Sequence, residues 1–235
     1  MQRRESNTAL PIYLQISESL MRDIASGRYV VGERLPPERE LAKTYSTTVR
    51  TLRKSLSELE NKGMLERIQG SGNYVRDNTN ARSVYSMFRL ELPGGGGLPT
   101  ADVLGVDYMA KPDDLPRFGT SDHASRIRRL RYLDQTVIAV EEIWLDGDSG
   151  RIDPAALSDS LYFYYQNKLG FWVSHAEDSV WAAPVPDWAP DAFGPNAGDT
   201  AGYIERFSWA QVPEPVEFSR TWFDTNAARY VQRMK

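Results

Sequence analysis

Two sets of residues in this chain have types and spacings suited to holding anions. In the first, Arg39 lies just before a tight turn, and Thr48, Arg50, Thr51 and Arg53 gather hydroxyl and guanidinium groups at the start of a predicted helix. The N-terminal end of a helix offers free backbone N–H groups, so these side chains there suit phosphate oxygens and base edges; Thr48 also suits a plain N-cap. Shortly afterwards Arg67 and Gln69 stand beside Gly70, Ser71 and Gly72, where glycines let the backbone pass close to another surface. In the second set, Arg129 and Arg131 are one residue apart. On a strand they share a face, and two guanidinium forks suit a phosphate or a carboxylate. Glu141 faces Arg129 if the intervening turn is Asp134, Gln135 and Thr136, whereas a two-residue turn sets Arg128 opposite it. The plain alternative is a surface cross-strand ion pair, worth a few tenths of a kcal/mol, roughly the usual value for such pairs.

The elements that must position these residues are legible in outline. Residues 32–42 and 48–56 read as helix, tight turn, second helix, with Leu41, Leu52, Leu56 and Leu59 as an apolar stripe at helical spacing. Asn61, Lys62 and Gly63 stop the second helix. Two short strands are predicted at 65–68 and 73–76, joined through 69–72 as a hairpin directly after the helices. The polar, unpatterned stretch 77–82 reads as a linker, dividing the chain into domains 1–76 and 77–235.

Beyond the linker the pattern changes. Residues 127–133 and 137–145 predict a strand pair, 159–169 a helix stopped by Gly170, 172–182 an extended segment, and 203–211 with 216–223 a hairpin across Pro213, Glu214 and Pro215. Strands with a few inserted helices predict an α+β fold class, with an antiparallel sheet in the second domain. The glycine run 94–97 reads as a mobile loop. It has no following Lys-Ser or Lys-Thr, which rejects a phosphate-binding loop. No internal repeat is visible.

The chain has 235 residues, 41% hydrophobic and 26% charged, a composition that suits a globular protein of two domains. Residues 1–76 hold 13 Lys and Arg against 9 Asp and Glu, a net of +4, leaving −8 for the rest of a chain whose total is −4. Only the first part suits a polyanion. With no cysteine, disulfides and thiolate metal sites are excluded, which is compatible with a cytoplasmic location. The start lacks an apolar signal region and no run of about 18 apolar residues occurs, so neither export nor a membrane partner is expected.

Residues 9–76 resemble the winged-helix domain of GntR-type bacterial transcription regulators, through the segments GERLPPERELA, TVRTLRKSL and IQGSGNYV. The resemblance implies that the Arg of the ERE segment (Arg39), the residues opening the recognition helix (Thr48, Arg50, Thr51, Arg53) and the hairpin tip, or wing (Arg67, Gln69, Gly70, Ser71, Gly72), approach a double-stranded DNA operator. One departure stands out. The family's arginine directly after the capping residue is replaced by Val49, which removes a base contact, moves it to Arg50, or substitutes apolar contact with a thymine methyl.

The second part resembles the effector-binding domain of the HutC-type branch, with a chorismate-lyase-like fold, through RRLRYLDQTVIAVEEIWL, LSDSLYFYYQNKLGFWVSHAEDSVWAA and PVEFSRTWF. In relatives that bind sugar phosphates, two arginines and a glutamate ten residues later hold the ligand, and a glutamate opens the last strand. The resemblance thus implies effector-binding roles for Arg129, Arg131, Glu141 and Glu217. A tyrosine frequent six residues after that glutamate is Phe223 here, which counts against the usual amino-sugar phosphate as ligand. Residues 83–118 depart most from the pattern.

Other candidates read as structural. The six tryptophans, with Tyr162, Phe163, Tyr164 and Tyr165, suit a core and a dimer face, though an aromatic wall also stacks sugars. His123 and His175 are far apart and neither has a second His at ligand spacing, so no metal and no cofactor are expected. Glu177 and Asp178 read as a strand's polar edge. The expectation is a non-enzymatic, homodimeric, ligand-responsive repressor of a pseudo-palindromic operator, with a small anionic metabolite as effector. The alternatives are an enzyme of chorismate-lyase type and a DNA-binding protein whose second domain only dimerises.

Overall fold

The computed structural model describes residues 11–76, 87–157 and 160–233. The predicted linker at 77–82 lies outside the described residues, as does Asp159 at the start of the predicted 159–169 helix. The N-terminal part is a winged helix-turn-helix: α1 (Ile12–Ala25), α2 (Glu38–Thr44), α3 (Val49–Asn61), then β1 (Leu65–Ile68) and β2 (Gly72–Val75). Its core joins Ile16, Leu20, Met21 and Ile24 of α1 to Leu41 and to the predicted stripe Leu52, Leu56 and Leu59. Ile16, Leu20 and Ile24, with Met21 beside them, and Leu52, Leu56 and Leu59 recur every three or four positions, so folding each segment as a helix gathers them on one face. The helix-to-helix turn places Ser46 at φ +47, and Thr48 caps α3 by accepting a hydrogen bond from the Thr51 backbone N–H at 3.1 Å. β1 and β2 pair antiparallel with Ile68 opposite Gly72, and Arg34 adds an isolated bridge to Tyr74.

The C-terminal part is built on a six-stranded antiparallel sheet. Its strands are β4 (Pro99–Ala110), β5 (His123–Leu133), β6 (Thr136–Asp146), β7 (His175–Pro184), β8 (Thr200–Trp209) and β9 (Pro215–Phe223), ordered β4-β5-β6-β9-β8-β7. A separate pair joins β3 (Leu90–Glu91) to β10 (Arg229–Tyr230). The strand β4 was not predicted: PTADVLGVDYMA has exposed apolar residues on an edge and a bulge at Leu104, which blur the period-two signal. On one face Ile127, Ile143 and Leu145 pack beneath α4 (Leu161–Tyr164) and the π-helical turn Tyr165–Leu169, which Gly170 ends at φ +78. The other face buries Leu130, Val140, Tyr203 and Trp222 against Val185 and Phe193.

The glycine run is a tight turn. Gly95, Gly96 and Gly97 all have positive φ, and the Gly97 carbonyl accepts a 3.1 Å hydrogen bond from Arg22 of α1. No helix among the described residues is long and apolar enough to cross a membrane.

Candidate functional site

The first candidate surface lies between α3 and the wing. Arg39 and Arg50 are exposed, and Thr48 and Thr51 share a hydroxyl contact of 2.9 Å at the first turn of α3. Glu38, at the start of α2, organises two of the other cations. Its Oε2 accepts from Arg53 Nε at 2.7 Å and its Oε1 from Arg67 Nη2 at 2.9 Å, so α2, α3 and β1 are cross-tied by one carboxylate. Burial raises its pKa, but the hydrogen bonds and charges of Arg53 and Arg67 prevail and hold it below the ordinary carboxylate value. Val49 is half-buried against the domain core, while Arg50 points from the same turn to solvent.

At the wing, Gln69 and Gly70 are exposed, Gly70 has φ +76, and the Ser71 hydroxyl lies 2.8 Å from Tyr74 Oη. A Cβ at Gly72 would meet Arg34 Nε at 2.6 Å, so Gly72 is what lets Arg34 lie along the wing. Arg34 was missing from the sequence reading. The Arg34–Tyr74 bridge and the backbone hydrogen bonds that tie Gly32, Glu33 and Leu35 to Asn73 and Val75 bring it there, and no local motif signals those contacts.

The second site is a cavity on the α4 face of the sheet. Period-two alternation sends Arg129 and Arg131 of β5, Glu141 of β6, Glu217 of β9 and Arg206 of β8 into it. Both turn alternatives contribute to the Arg129–Glu141 pairing. The turn is the two-residue Asp134-Gln135, with Leu133 opposite Thr136, but Ile138 is an extra residue in β6 that restores Arg129 opposite Glu141 and Arg128 opposite Glu142. Arg129 donates to Glu141 Oε2 from Nε at 3.1 Å and from Nη2 at 2.7 Å; Arg131 Nη1 lies 3.7 Å from the same oxygen. All three side chains are buried, which corrects the surface ion-pair alternative. Burial acts to raise the Glu141 pKa, yet Arg131 and Arg129 together hold it below the ordinary carboxylate range.

Glu217 has the opposite character. It is buried beneath α4, where Tyr165 Oη donates to Oε2 at 2.6 Å and Ser208 Oγ to Oε1 at 2.9 Å, with Tyr162 Oη 3.4 Å away. Burial outweighs those hydroxyls and pushes its pKa up. Arg206 was also absent from the sequence reading. Asp178, read there only as a strand's polar edge, grips Arg206 Nε at 2.5 Å and Nη2 at 2.7 Å, while Tyr230 Oη donates to Asp178 at 2.8 Å. Arg206 Nη2 also donates to the Met87 carbonyl at 2.6 Å, so the first described residues after the linker are tied to the cavity.

Phe88, Arg89 and Leu90 then form one wall of it. Of the aromatics read as core, Trp144, Trp188 and Trp222 pack on the opposite sheet face, whereas Tyr162 lines the cavity together with Phe88. Phe223 packs with Leu133, Ile138 and Ile204 beside the cavity, outside its lining. His175 stacks on Trp209 with centroids 4.6 Å apart, and His123 on Tyr108 at 5.8 Å.

Comparison with known proteins agrees with both halves of this architecture. The family model described as bacterial regulatory proteins, gntR family, matches residues 12–75, and the UTRA domain model matches residues 96–229. The HTH-type transcriptional regulator SmoD of Agrobacterium fabrum is 50% identical over 233 residues, covering 99% of this chain and 100% of that protein. The HTH-type transcriptional repressor NagR of Bacillus subtilis is 22% identical over 231 residues, covering 96% of this chain and 95% of NagR. Among solved structures, a possible transcriptional regulator, YydK of Bacillus subtilis, shares the fold with a TM-score of 0.53 at 18% identity, covering 96% of this chain and 100% of that one.

Proposed function

We propose, for a chain that belongs to the GntR family of bacterial regulators and carries a UTRA domain, that it is a homodimeric repressor released from its operator by a small anionic metabolite. The domains divide at residues 77–82: residues 1–76 read DNA, and 77–235 dimerise and bind the effector. Arg39, Thr48, Arg50, Thr51, Arg53 and the wing residues Arg67, Gln69, Gly70, Ser71 and Gly72 meet the duplex. α3 enters the major groove and the wing lies along the adjacent backbone. The repressor assignment is supported by the relatives whose names say repressor, NagR and the mannosyl-D-glycerate transport/metabolism system repressor MngR of Escherichia coli.

The observation that carries the effector reading is the cation excess of the buried cavity. Four arginines line it, Arg89, Arg129, Arg131 and Arg206, against the carboxylates Glu141 and Glu217 of the lining and Asp178, which pairs with Arg206. A buried charge surplus of this kind calls for a counter-anion, and guanidinium forks take phosphate or carboxylate oxygens in bidentate geometry. Glu141 and Glu217 then take hydroxyl or amine donors of the same ligand. A sugar phosphate or a hydroxy acid meets both needs.

A homodimer is supported by the sheet edges. β4 exposes Val103, Leu104, Tyr108 and Met109, and β7 exposes Val180 and Trp181, apolar edges of the kind that another chain covers. Two-fold related reading heads then require a pseudo-palindromic operator.

The test is a thermal-shift screen of hexose 6-phosphates and hydroxy acids, followed by operator release with the best ligand. A binder raises the melting temperature of the parent and not of an Arg129→Ala, Arg131→Ala double variant. A double variant that releases operator at the parent's ligand concentration overturns the assignment.

A further inference from the structure

Between the cavity and the DNA-reading domain stands the aromatic ring of Phe88. Phe88 lines the cavity, and the Arg131 guanidinium carbon lies over its ring at 4.8 Å from the centroid. The guanidinium carbon of Arg22, in the last turn of α1, lies over the same ring at 5.9 Å. Two cations from two domains thus use one quadrupole. Arg22 is 2% exposed, a rare burial for a charge, and its other contacts cross the same boundary or sit beside it. Nη2 donates to the Gly97 carbonyl of the sheet domain at 3.1 Å and to Asp23 at 3.0 Å, whereas Nη1 is buried and finds no acceptor among the described residues. A buried N–H without an acceptor is costly, and the ring face adds to the Asp23 ion pair and the Gly97 carbonyl in keeping this guanidinium out of water.

Arg131 is itself shared between the Phe88 ring and Glu141, at 3.7 Å, in the cavity where an anion would arrive. The backbone next to the ring is held by the same cavity, through Arg206 and the Met87 carbonyl.

We propose that Phe88 is the positioning residue that couples Arg131 of the cavity to Arg22 of helix α1. An anion that draws Arg131 off the ring leaves Phe88 to Arg22 alone, which changes how firmly α1 is held against the sheet domain. Because α1 packs in one core with Leu52, Leu56 and Leu59, a change at Arg22 reaches α3, the helix that carries Thr48, Arg50 and Arg53. The coupling free energy is reciprocal, so operator binding alters the cavity's hold on an anion by the same factor.

This coupling deepens the effector reading of the cavity and rests on it, but its test needs no ligand. Amide hydrogen exchange is measured on the full chain for residues 17–24 in the parent, in Arg131→Ala, in Phe88→Leu and in the double variant. Arg131→Ala is expected to change exchange in that stretch by about threefold to tenfold, the range a partly buried cation–π contact supports, and to change nothing further once Phe88 is Leu. Phe88→Tyr, which keeps the ring, is expected to keep the response to Arg131→Ala, and it serves as the folded control if Phe88→Leu unfolds. An Arg131→Ala effect of equal size with and without the ring overturns the proposal, as does no effect in either background. Thermal shift with glucose 6-phosphate and with inorganic phosphate is run alongside. Absence of any anion binding defeats the effector reading of the cavity, while the exchange cycle still decides whether Phe88 links the two domains.

Discussion

Arg129 faces Glu141 because Ile138 is an extra residue in β6. The two-residue turn alone would have set Arg128 against Glu141 and turned the Arg129–Arg131 face away from the cavity, since a one-residue slip reverses every side chain. The resulting pair is buried, so each partner depends on the other. Arg129→Ala leaves Glu141 with Arg131 at 3.7 Å and is expected to cost about 3–5 kcal/mol of stability in urea denaturation. An Arg129→Met, Arg131→Met, Glu141→Leu triple substitution removes all three charges and is expected to recover most of that loss while abolishing anion binding. Recovery of stability together with retained anion binding would refute the cavity assignment.

The two buried glutamates are expected to give opposite pH dependences. Burial lifts the Glu217 pKa above the ordinary 4.5, so the folded state favours its protonated form. Its contribution is full below the unfolded value and is lost as pH rises through the folded one. Glu217→Gln should therefore gain stability relative to the parent as pH rises from about 4 to 8. Glu141 is held below its ordinary value, so its contribution is present above that value and lost as pH falls through the folded one. Denaturation curves for Glu217→Gln that run parallel to the parent at every pH would show that the carboxylate is ionised equally in both states.

Glu38 permits a test in which charge and geometry predict opposite signs. Removing its negative charge next to DNA would by itself tighten binding, but its two oxygens hold Arg53 and Arg67. Glu38→Gln is expected to leave binding to random duplex unchanged or stronger and to weaken operator binding, lowering the specificity ratio. A ratio that rises would show that Arg53 and Arg67 need no orientation.

Arg39 and Arg50 are both exposed, and their expected roles are separable. Arg39→Ala should weaken binding to all sequences and lower the salt slope by about 1, the loss of one phosphate contact. Arg50→Ala should instead alter which base is preferred, because Val49 is turned against the core and leaves Arg50 as the cation of that turn facing outward. A selection experiment returning the parent's base preferences from the Arg50→Ala protein would reject that role.

The assembly prediction is a dimer of the full chain. Light scattering at micromolar concentration should give twice 26.6 kDa. A monomer mass that persists with an operator duplex bound would contradict the two-fold docking.

The elements of the reading domain were legible without a structure because their information is local. Leu52, Leu56 and Leu59 repeat at helical spacing, Thr48 caps in its own turn, and Gly70 sits where the tip of a hairpin requires positive φ. Arg129 and Arg131 were legible as a pair for the related reason that alternation along a strand assigns faces, whereas Glu141 joined them only through the spacing of the resembling family. Edge strand β4 was not legible, since its outward apolar residues and its bulge leave no alternating pattern.

Tertiary structure decided what depends on residues far apart in the chain. The Ile138 bulge is stated by no local motif, and it depends on the β6 pairings with both β5 and β9. The same holds for Arg206 with Asp178, 28 residues away, and for Arg22 beside Phe88 and Gly97. A charged side chain announces its type in a sequence but not its burial. Desolvation, which makes an arginine, a glutamate and a phenyl ring interact strongly enough to matter, is set only when the sheet, the linker exit and α1 close on one another.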